Sequence, residues 1–270
     1  MIQMYRYTGA YPKDYSSYSN LDFGTVKGLT ASYDLRRTKN VRLRASYTLQ
    51  YTNATGASTT TMSALISAGV PNLRSTFAMP WDRRHQFNVT LDYRFADGKD
   101  YNGPVWKREE SGKKPIQVLA NTGLALTMQG GSGTPYTAKS NVTSPIAASS
   151  NNLLKGSYFG SRLPWAFRFD MKIDRDFDLN IGKKEGDKRP AYLNVYLQVL
   201  NVLNSKNIID VYAATGNPDD DGYLSAPEWQ REINNQTDAD AFRDLYGLYV
   251  NSQYNYSSPR QVRIGMIFNF

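Results

Sequence analysis

Apolar and polar residues alternate along this chain in segments about twice as long as the usual five or six residues of a soluble strand. In the clearest segment, residues 41–51, the apolar side chains of Leu43, Leu49 and Tyr51 share one face, while Arg42 and Arg44 lie on the other. The same alternation recurs at residues 86–95, 165–177 and 260–270, and more weakly at 29–35, 118–129 and 191–203. The pattern therefore predicts seven full β-strands. Residues 1–7 resemble the tail of one more strand.

The segments between these strands differ in length. The links at residues 36–40 and 180–190 are short, and the polar link at 96–115 is of medium length. Between them lie three long links, at residues 52–85, 130–162 and 204–259. Short and long links on opposite ends of the strands are typical of a closed antiparallel barrel in a bacterial outer membrane, which has short periplasmic turns and long external loops.

A soluble β-sandwich would show the same alternation, because its apolar face packs on a second sheet and its polar face meets water. The strand length and the asymmetry of the links favour the membrane barrel. A tilted strand of about 10 residues spans the hydrocarbon layer, and only a closed sheet pairs every backbone N–H there. Aromatic residues near strand ends agree with an interfacial girdle: Tyr51, Phe95, Trp165, Phe268 and Phe270.

The composition excludes several structural features, types of site and partners. The chain has 270 residues, 32 Lys and Arg against 24 Asp and Glu, one His and no Cys, and its mean hydropathy is -0.55. We expect no membrane-spanning helix, disulfide, thiol nucleophile or cysteine zinc site. The net charge of +8 is scattered rather than gathered in a stripe, so we expect no nucleic-acid partner. The first 15 residues lack a secretory signal, so either the chain is cytoplasmic or the gene product begins upstream.

One short segment carries candidate metal chemistry. Residues 217–228 read NPDDDGYLSAPE, which matches the EF-hand calcium loop with Asn at the first position. Gly222 stands where the loop must turn sharply, and Leu224 stands at the apolar anchor position. The sequence therefore predicts a structural Ca²⁺ site within the 204–259 loop. Its ligands would be Asn217, Asp219, Asp221, the carbonyl of Tyr223, Ser225 and a bidentate Glu228.

The rest of that loop predicts a short helix over residues 237–250, with Asp240 and Asp244 at i and i+4. The loop tyrosines, among them Tyr246 and Tyr256, are compatible with glycan or peptide binding, but such a composition is ordinary in exposed loops. For residues 217–228, the simple alternative to a calcium site is an acidic turn exposed to solvent.

Four sequence segments resemble the last third of a TonB-dependent outer-membrane receptor of the Bacteroidetes type, whose SusC-like members carry a carboxypeptidase-regulatory-like domain. They are GGSGTPYT (130–137), LPWAFRFDMKIDRDF (163–177), YLNVYLQVLNVLNSKNI (192–208) and a final strand that ends on Phe270. The order and spacing of these segments cover nearly the whole chain.

The resemblance implies that residues 1–270 form the C-terminal part of an all-β transmembrane barrel of 22 strands, with residues 204–259 as an extracellular loop. It also implies a Gram-negative outer membrane with its lipid and lipopolysaccharide, a remainder of the barrel and a plug in the same or another chain, and energy from the TonB system through a missing N-terminal part. Phe270 would be the C-terminal signal for barrel insertion. The implied role is ligand transport.

Three alternatives stay open. The chain could be a structural barrel subunit that serves as a platform for surface lipoproteins or an envelope complex, without transport. It could also be an eight-stranded barrel that closes on itself. A small barrel enzyme would need a triad around His85, the only His, and we find no Ser and Asp partners for it, so we expect no catalytic site. His85 is expected to be a polar interfacial or lumen residue.

Overall fold

The regular structure of the described residues is mainly antiparallel β-sheet. The computed structural model describes residues 2–9, 11, 13–21, 23–67, 75–106, 115–142, 153–181 and 189–269. Within these ranges the strands are, in chain order, β1 (Ile2–Tyr7), β2 (Tyr15–Asn20), β3 (Gly24–Thr38), β4 (Val41–Ala54), β5 (Phe77–Ala78), β6 (His85–Arg94), β7 (Val105–Trp106), β8 (Ile116–Gln117), β9 (Thr122–Gly131), β10 (Pro135–Tyr136), β11 (Ser161–Arg162), β12 (Ala166–Ile181), β13 (Arg189–Leu200) and β14 (Gln261–Asn269).

The helices of the described residues are short, apart from one. They are α1 (Ser63–Ser67), α2 (Gln230–Asn234) and α3 (Ala239–Val250), with 3₁₀ turns at Gly98–Asp100, Pro227–Trp229 and Gln253–Asn255. The helix expected at 237–250 is confirmed as α3. It begins there because the Asp238 carboxylate accepts hydrogen bonds from the backbone N–H groups of Asp240 (3.2 Å) and Ala241 (3.0 Å), which is the N-cap arrangement.

The main sheet contains all seven strands that the alternation predicts. Its order is β3-β4-β6-β9-β12-β13-β14, so each long strand pairs with the next long strand along the chain, and the two-residue β5 pairs with the end of β4. Every pairing is antiparallel. The all-β, antiparallel prediction is therefore confirmed.

Two of the differences from the sequence-based strand boundaries occur at an Asn with positive φ. β9 begins at Thr122 rather than at residue 118, because Asn121 has φ +57° and interrupts the extended chain. β13 ends at Leu200 rather than at 203, because Asn201 has φ +53°. Asn tolerates the left-handed region better than most residues, so both positions end strands.

Residues 1–7 do not extend the main sheet as the tail of a further barrel strand. Residues 2–7 form β1, which pairs with β2 in a separate two-stranded sheet. This hairpin contacts the link after β4, where the Met4 N–H donates to the Thr59 carbonyl (3.1 Å). The expected strand is therefore present, but it does not add to the main sheet, because β2 supplies a local partner only eight residues later in the chain.

The links at the two ends of the sheet follow the predicted asymmetry only in part, because the link from β6 to β9, residues 95–121, lies at the same end as the tight turns. β3 and β4 are joined by a tight turn in which Lys39 has φ +55°, and the link from β12 to β13 occupies residues 182–188, outside the described residues. The links that follow β4, β9 and β13 are long and lie at the opposite end. We call these the short-turn end and the long-loop end.

The sheet has two edge strands, β3 and β14. Within the described part of the chain, no strand pairs with the outer edge of either one. Both strands therefore present a row of backbone N–H and C=O groups to whatever lies beside them.

Candidate functional site

One face of the sheet is apolar from edge to edge. Because directly paired residues of antiparallel strands share a face, the register defines a cross-strand row with one apolar residue from each long strand: Leu35, Leu43, Leu91, Leu126, Met171, Val199 and Val262. The described chain places no second layer over this face. Even on the central strands, Met128 and Phe167 are 40% and 44% exposed. An apolar patch of this extent is unusual on a protein that meets water.

Aromatic rings gather on the apolar face at the long-loop end. The imidazole of His85 stacks on Trp165 at 5.4 Å between ring centroids, and Trp165 stacks on Phe167 at 5.9 Å. The Tyr47 hydroxyl and His85 Nδ1 lie 2.9 Å apart, within hydrogen-bond distance. His85 pairs with Leu49, so it lies on the apolar face rather than among the polar side chains of the opposite face. Amphipathic rings at the end of an apolar band are typical of a membrane interface.

The opposite face carries polar and charged side chains that pair with one another. Arg94 of β6 donates from Nη2 to Asp174 and from Nη1 to Asp176, each at 2.5 Å, and Asn194 of β13 donates to Asp176 at 2.6 Å. Asp174 is only 7% exposed, so the bridge neutralises a buried carboxylate. The charged side chains of β12 are thus partly neutralised across the sheet, with Arg94 of β6 as the main partner.

The ion pair between Arg94 and Asp174 crosses β9, and this is possible because β9 has a glycine, Gly123, at that position. Gly123 of β9 pairs with both Arg94 and Asp174 and so lies between them. A Cβ at Gly123 would lie 2.9 Å from Arg94 Nη2 and 3.0 Å from Asp174 Oδ1. The absence of a side chain there lets the guanidinium reach across β9.

The long link between β13 and β14 has a core of its own. Tyr223, Ile233, Tyr246 and Val250 are at most 4% exposed and form one cluster, against which Val142, Tyr212, Leu224, Trp229 and Phe242 pack. We call residues 201–260 the loop domain. Tyr246 and Val250 stand one helical turn apart on α3, a spacing that identifies the buried face of a helix. The expectation that Tyr246 belongs to an exposed loop is wrong for that reason.

The loop domain places the two central carboxylates of the calcium-like segment against tyrosine hydroxyls. Asp221 is 5% exposed, and accepts from the Tyr246 hydroxyl (2.5 Å) and the Tyr223 N–H (3.0 Å). Asp219 is exposed and accepts from the Tyr256 hydroxyl at 2.5 Å. Neither tyrosine could be assigned from the motif, because they lie 25 and 37 residues away in the chain.

Some of the remaining residues of the segment shape its backbone, and others line a recess or lie away from it. Asn217 accepts from the Asp219 N–H (3.2 Å), Gly222 turns the chain with φ +84°, and the Ser225 hydroxyl donates to the Gly222 carbonyl (3.2 Å). Asp219, Asp220 and Asp221 line one recess together with Leu224 and Tyr246. Glu228 is exposed on the 3₁₀ turn Pro227–Trp229 and does not line that recess. The side chain of Tyr223 belongs to the core.

Among the described residues, no group of three or more His, Asp or Glu side chains is arranged to hold a metal ion. Phe270, the predicted insertion signal, lies outside the described residues.

Three tyrosines of the loop domain keep their protons more tightly than usual. Burial raises the pKa of Tyr212 and of Tyr223, and nearby Asp221 raises both further. The hydrogen bond to Asp219 raises the pKa of Tyr256. Two of these hydroxyls donate hydrogen bonds, that of Tyr212 to the Val250 carbonyl and that of Tyr256 to Asp219.

Another polar cluster, not foreseen from the sequence, joins three segments at the long-loop end. Asp82 is 1% exposed; it accepts from the Thr52 N–H (2.8 Å) and forms an ion pair with Arg162, whose Nη1 also donates to the Asp82 carbonyl (2.8 Å). The only sign of this cluster in the sequence was Asp82 itself, an acidic residue between apolar and basic ones in MPWDRR. It fixes the ends of the links that follow β4 and β9.

No protein-family model, curated protein or solved structure shows significant similarity to this chain. In the described ranges, no helix is long and apolar enough to cross a membrane.

Proposed function

We propose that this chain is part of the wall of a transmembrane barrel in a bacterial outer membrane, and that the barrel takes up a ligand as TonB-dependent receptors do. The observation that carries the proposal is the continuous apolar face of the seven-stranded sheet, which stays exposed while the opposite face carries paired charges. Lipid would cover the apolar face, and the polar face would line the lumen.

Two further features support a barrel over a soluble sheet. The strands β3, β4 and β12 contain 15, 14 and 16 residues, more than the usual five or six residues of a soluble strand. The links that follow β4, β9 and β13 lie at one end, which would be the extracellular end.

The edge strands β3 and β14 support a larger barrel. An unpaired strand edge is not tolerated in lipid, because no water satisfies its backbone groups. Either the two edges pair with each other, or additional strands complete the barrel. The resemblance to TonB-dependent receptors favours additional strands, and it alone supports the transport role, the plug and the energy supply by the TonB system.

The test is the mass of the protein purified from outer membranes in detergent, before and after boiling. A single covalent species near three times the 30.5 kDa of this chain would support a complete receptor. Failure to find the protein in the outer-membrane fraction at all would contradict the proposal.

A structural barrel subunit, a platform for surface lipoproteins, is the alternative. The separately packed loop domain favours it, because a folded module on the outside of a barrel offers a defined surface. A 30.5 kDa chain that leaves a larger complex only on boiling, with no plug-containing partner in that complex, would favour the platform over transport.

We also propose that the loop domain binds Ca²⁺ through Asn217, Asp219, Asp221, the Tyr223 carbonyl, Ser225 and Glu228. The supporting observation is Asp221, whose buried carboxylate has two hydrogen-bond donors but no cationic side chain within ion-pair distance in the described part of the chain. Buried charges are usually paired or bound to metal. Each carboxylate oxygen retains a lone pair after accepting one hydrogen bond.

Calcium binding can be tested by limited proteolysis of the loop domain with Ca²⁺ or with chelator. Glu228→Gln is expected to abolish the protection that Ca²⁺ gives, because Glu228 would supply two of the ligand oxygens while its side chain is exposed. Glu232→Gln, an equally exposed carboxylate outside the motif, is the matched control. Equal protease sensitivity with Ca²⁺ and with chelator would contradict the proposal.

A further inference from the structure

The polar face holds a recess at the long-loop end of its three central strands, β6, β9 and β12. It has a volume of about 140 Å³. It lies over two adjacent cross-strand rows, Asn88, Gln129 and Arg168 in one, and Gln86, Gly131 and Ala166 in the other. All of these residues except Gly131 line the recess. Because each of these strands has both sheet neighbours in the described chain, the recess does not depend on strands beyond the sheet edges.

The second row is shallow, and this creates the depression. Gly131 and Ala166 place small residues beside the long side chains of the first row. A Cβ at Gly131 would lie 2.7 Å from Cδ of Arg83, so the Arg83 side chain lies over this glycine. At one side, Asn207 of the loop domain exchanges two hydrogen bonds with the backbone of Phe167, at 2.7 and 2.9 Å, and this fixes the wall of the recess.

The recess offers hydrogen-bond donors that the described residues do not use. The side-chain amides of Gln86, Asn88 and Gln129 make no hydrogen bond to another described residue, and Arg83 makes no ion pair there. Arg168 donates to Asp170 only through Nε, at 2.8 Å. Its terminal amino groups are therefore available. Arg94 on the same face differs, because both of its terminal amino groups donate to carboxylates, those of Asp174 and Asp176.

These groups define the chemistry of a ligand. Two guanidinium groups, of which Asp170 neutralises one, leave an excess of positive charge, and guanidinium pairs with carboxylate in a bidentate manner. Primary amides both donate and accept, so they suit hydroxyl groups. A carboxylate with neighbouring hydroxyls would use both sets of groups.

We propose that this recess is a binding subsite for a small hydroxylated organic anion, held by Arg83 and Arg168 at its carboxylate and by Gln86, Asn88 and Gln129 at its hydroxyls. The subsite rests on the proposed function in one respect, namely that the polar face lines the lumen through which a ligand would pass. It would then lie at the extracellular entrance to that lumen.

The test is calorimetric titration of the detergent-purified protein, in whatever assembly it forms, with three four-carbon probes. Tartrate carries carboxylates and hydroxyls, succinate only carboxylates, and threitol only hydroxyls. We expect tartrate to bind at least tenfold more tightly than either of the others, and more weakly as salt is raised, because the site is open to solvent. Failure of tartrate to bind, or equal binding of tartrate and threitol, would overturn the proposal.

Two variants locate the binding. Arg83→Gln is expected to weaken tartrate binding about tenfold, because it removes a charge-assisted hydrogen bond. Gln129→Ala is expected to weaken tartrate more than succinate. The matched control is Arg263→Gln, which removes an exposed guanidinium from the same face of β14 and should leave tartrate binding unchanged. Unchanged tartrate binding in both recess variants would also overturn the proposal.

Failure of the subsite proposal can be distinguished from failure of the proposed function. Fractionation of membranes and the change of gel mobility on boiling report whether the chain is part of an outer-membrane barrel, and the titration reports whether the recess binds. A protein that passes the first test and fails the second retains the barrel and loses the subsite. Tartrate binding by a protein absent from the outer membrane would keep the subsite and remove its role in transport.

Discussion

The seven-stranded sheet and the loop domain solve the problem of apolar side chains in opposite ways. In the sheet, large apolar residues such as Leu29, Ile264 and Met266 are 66%, 78% and 72% exposed, and the fully buried apolar side chains of the long strands are alanines, Ala54 and Ala191. In the loop domain, Tyr223, Ile233, Tyr246 and Val250 bury one another.

The proposed membrane wall would account for this difference, because the two regions would then meet two different solvents. The loop domain removes its apolar surface from water by folding on itself, which is the ordinary source of stability in water. The sheet carries its apolar residues on one face over all seven strands and gathers its charges on the other face. Such an inverted arrangement is stable where the outer medium is itself apolar.

The largest expected effect comes from placing a charge on the apolar face. Leu126→Arg, in the middle of the central strand β9, should destabilise the membrane-inserted protein by about 2–4 kcal/mol, as charges at the bilayer midplane do in such barrels. The adjacent Thr127→Arg puts the same side chain on the polar face and serves as the control. Urea midpoints of the protein in lipid vesicles measure both, and equal losses would erase the distinction between the two faces.

The buried carboxylate of the loop domain should come next. Asp221→Ala leaves the Tyr246 hydroxyl and the Tyr223 N–H without their acceptor, at a cost of about 1–3 kcal/mol for unsatisfied buried groups. Proteolysis within residues 201–260 should accelerate in Ca²⁺-free buffer, while the mobility shift of the sheet on boiling stays as in the parent. If cleavage spread equally to the sheet, the two regions would not be separate stability units.

A pair of glycine substitutions gives smaller effects of opposite sign. Gly123→Ala crowds the Arg94–Asp174 bridge and should destabilise the sheet by roughly 1 kcal/mol. Gly247→Ala, on α3 with no atom within 4 Å of the added Cβ, should stabilise the loop domain by up to about 1 kcal/mol through helix propensity. Denaturant midpoints for each region provide the readout. A destabilising Gly247→Ala would mean that α3 is packed differently.

Alkaline pH should act on the loop domain alone and produce the smallest change. The pKa values of Tyr212, Tyr223 and Tyr256 are raised in the folded state. Stability from a raised pKa is fully present below the unfolded-state value of about 10 and is lost as pH rises through the folded-state value. Protease sensitivity of residues 201–260 should therefore rise above about pH 10, and Tyr256→Phe should reduce this pH dependence. A loop domain equally resistant on both sides of that pH would contradict the linkage.

The alternation predicted the sheet well because side chains in a strand have a strict period of two, and both faces here contrast strongly in polarity. It missed the start of β9 and the end of β13, where Asn121 and Asn201 adopt positive φ, since Asn at a strand end leaves no mark on the hydrophobic pattern. It predicted a strand over residues 1–7 but not its partner β2, because pairing partners are not encoded in one strand alone.

The candidate site was predictable only in part. Of the residues that the motif groups, Asp219 and Asp221 line one recess, while Glu228 does not line it. Tyr246 and Tyr256 reach Asp221 and Asp219 through tertiary packing, which the motif does not encode. The bridge from Arg94 to Asp174 joins residues 80 apart across a strand, so it follows from the sheet register, which the sequence does not state. Calcium binding itself stays a prediction.

The most direct test of the central claim is the chemical reactivity of single cysteines along β9. The chain has no cysteine, so each substitution at residues 124–128 introduces one thiol. In native outer membranes, a water-soluble thiol reagent should modify Ala125→Cys and Thr127→Cys, while Leu124→Cys, Leu126→Cys and Met128→Cys should react only with a lipid-soluble reagent. Equal reaction of the water-soluble reagent at all five positions would show that water covers both faces, and would contradict the membrane wall.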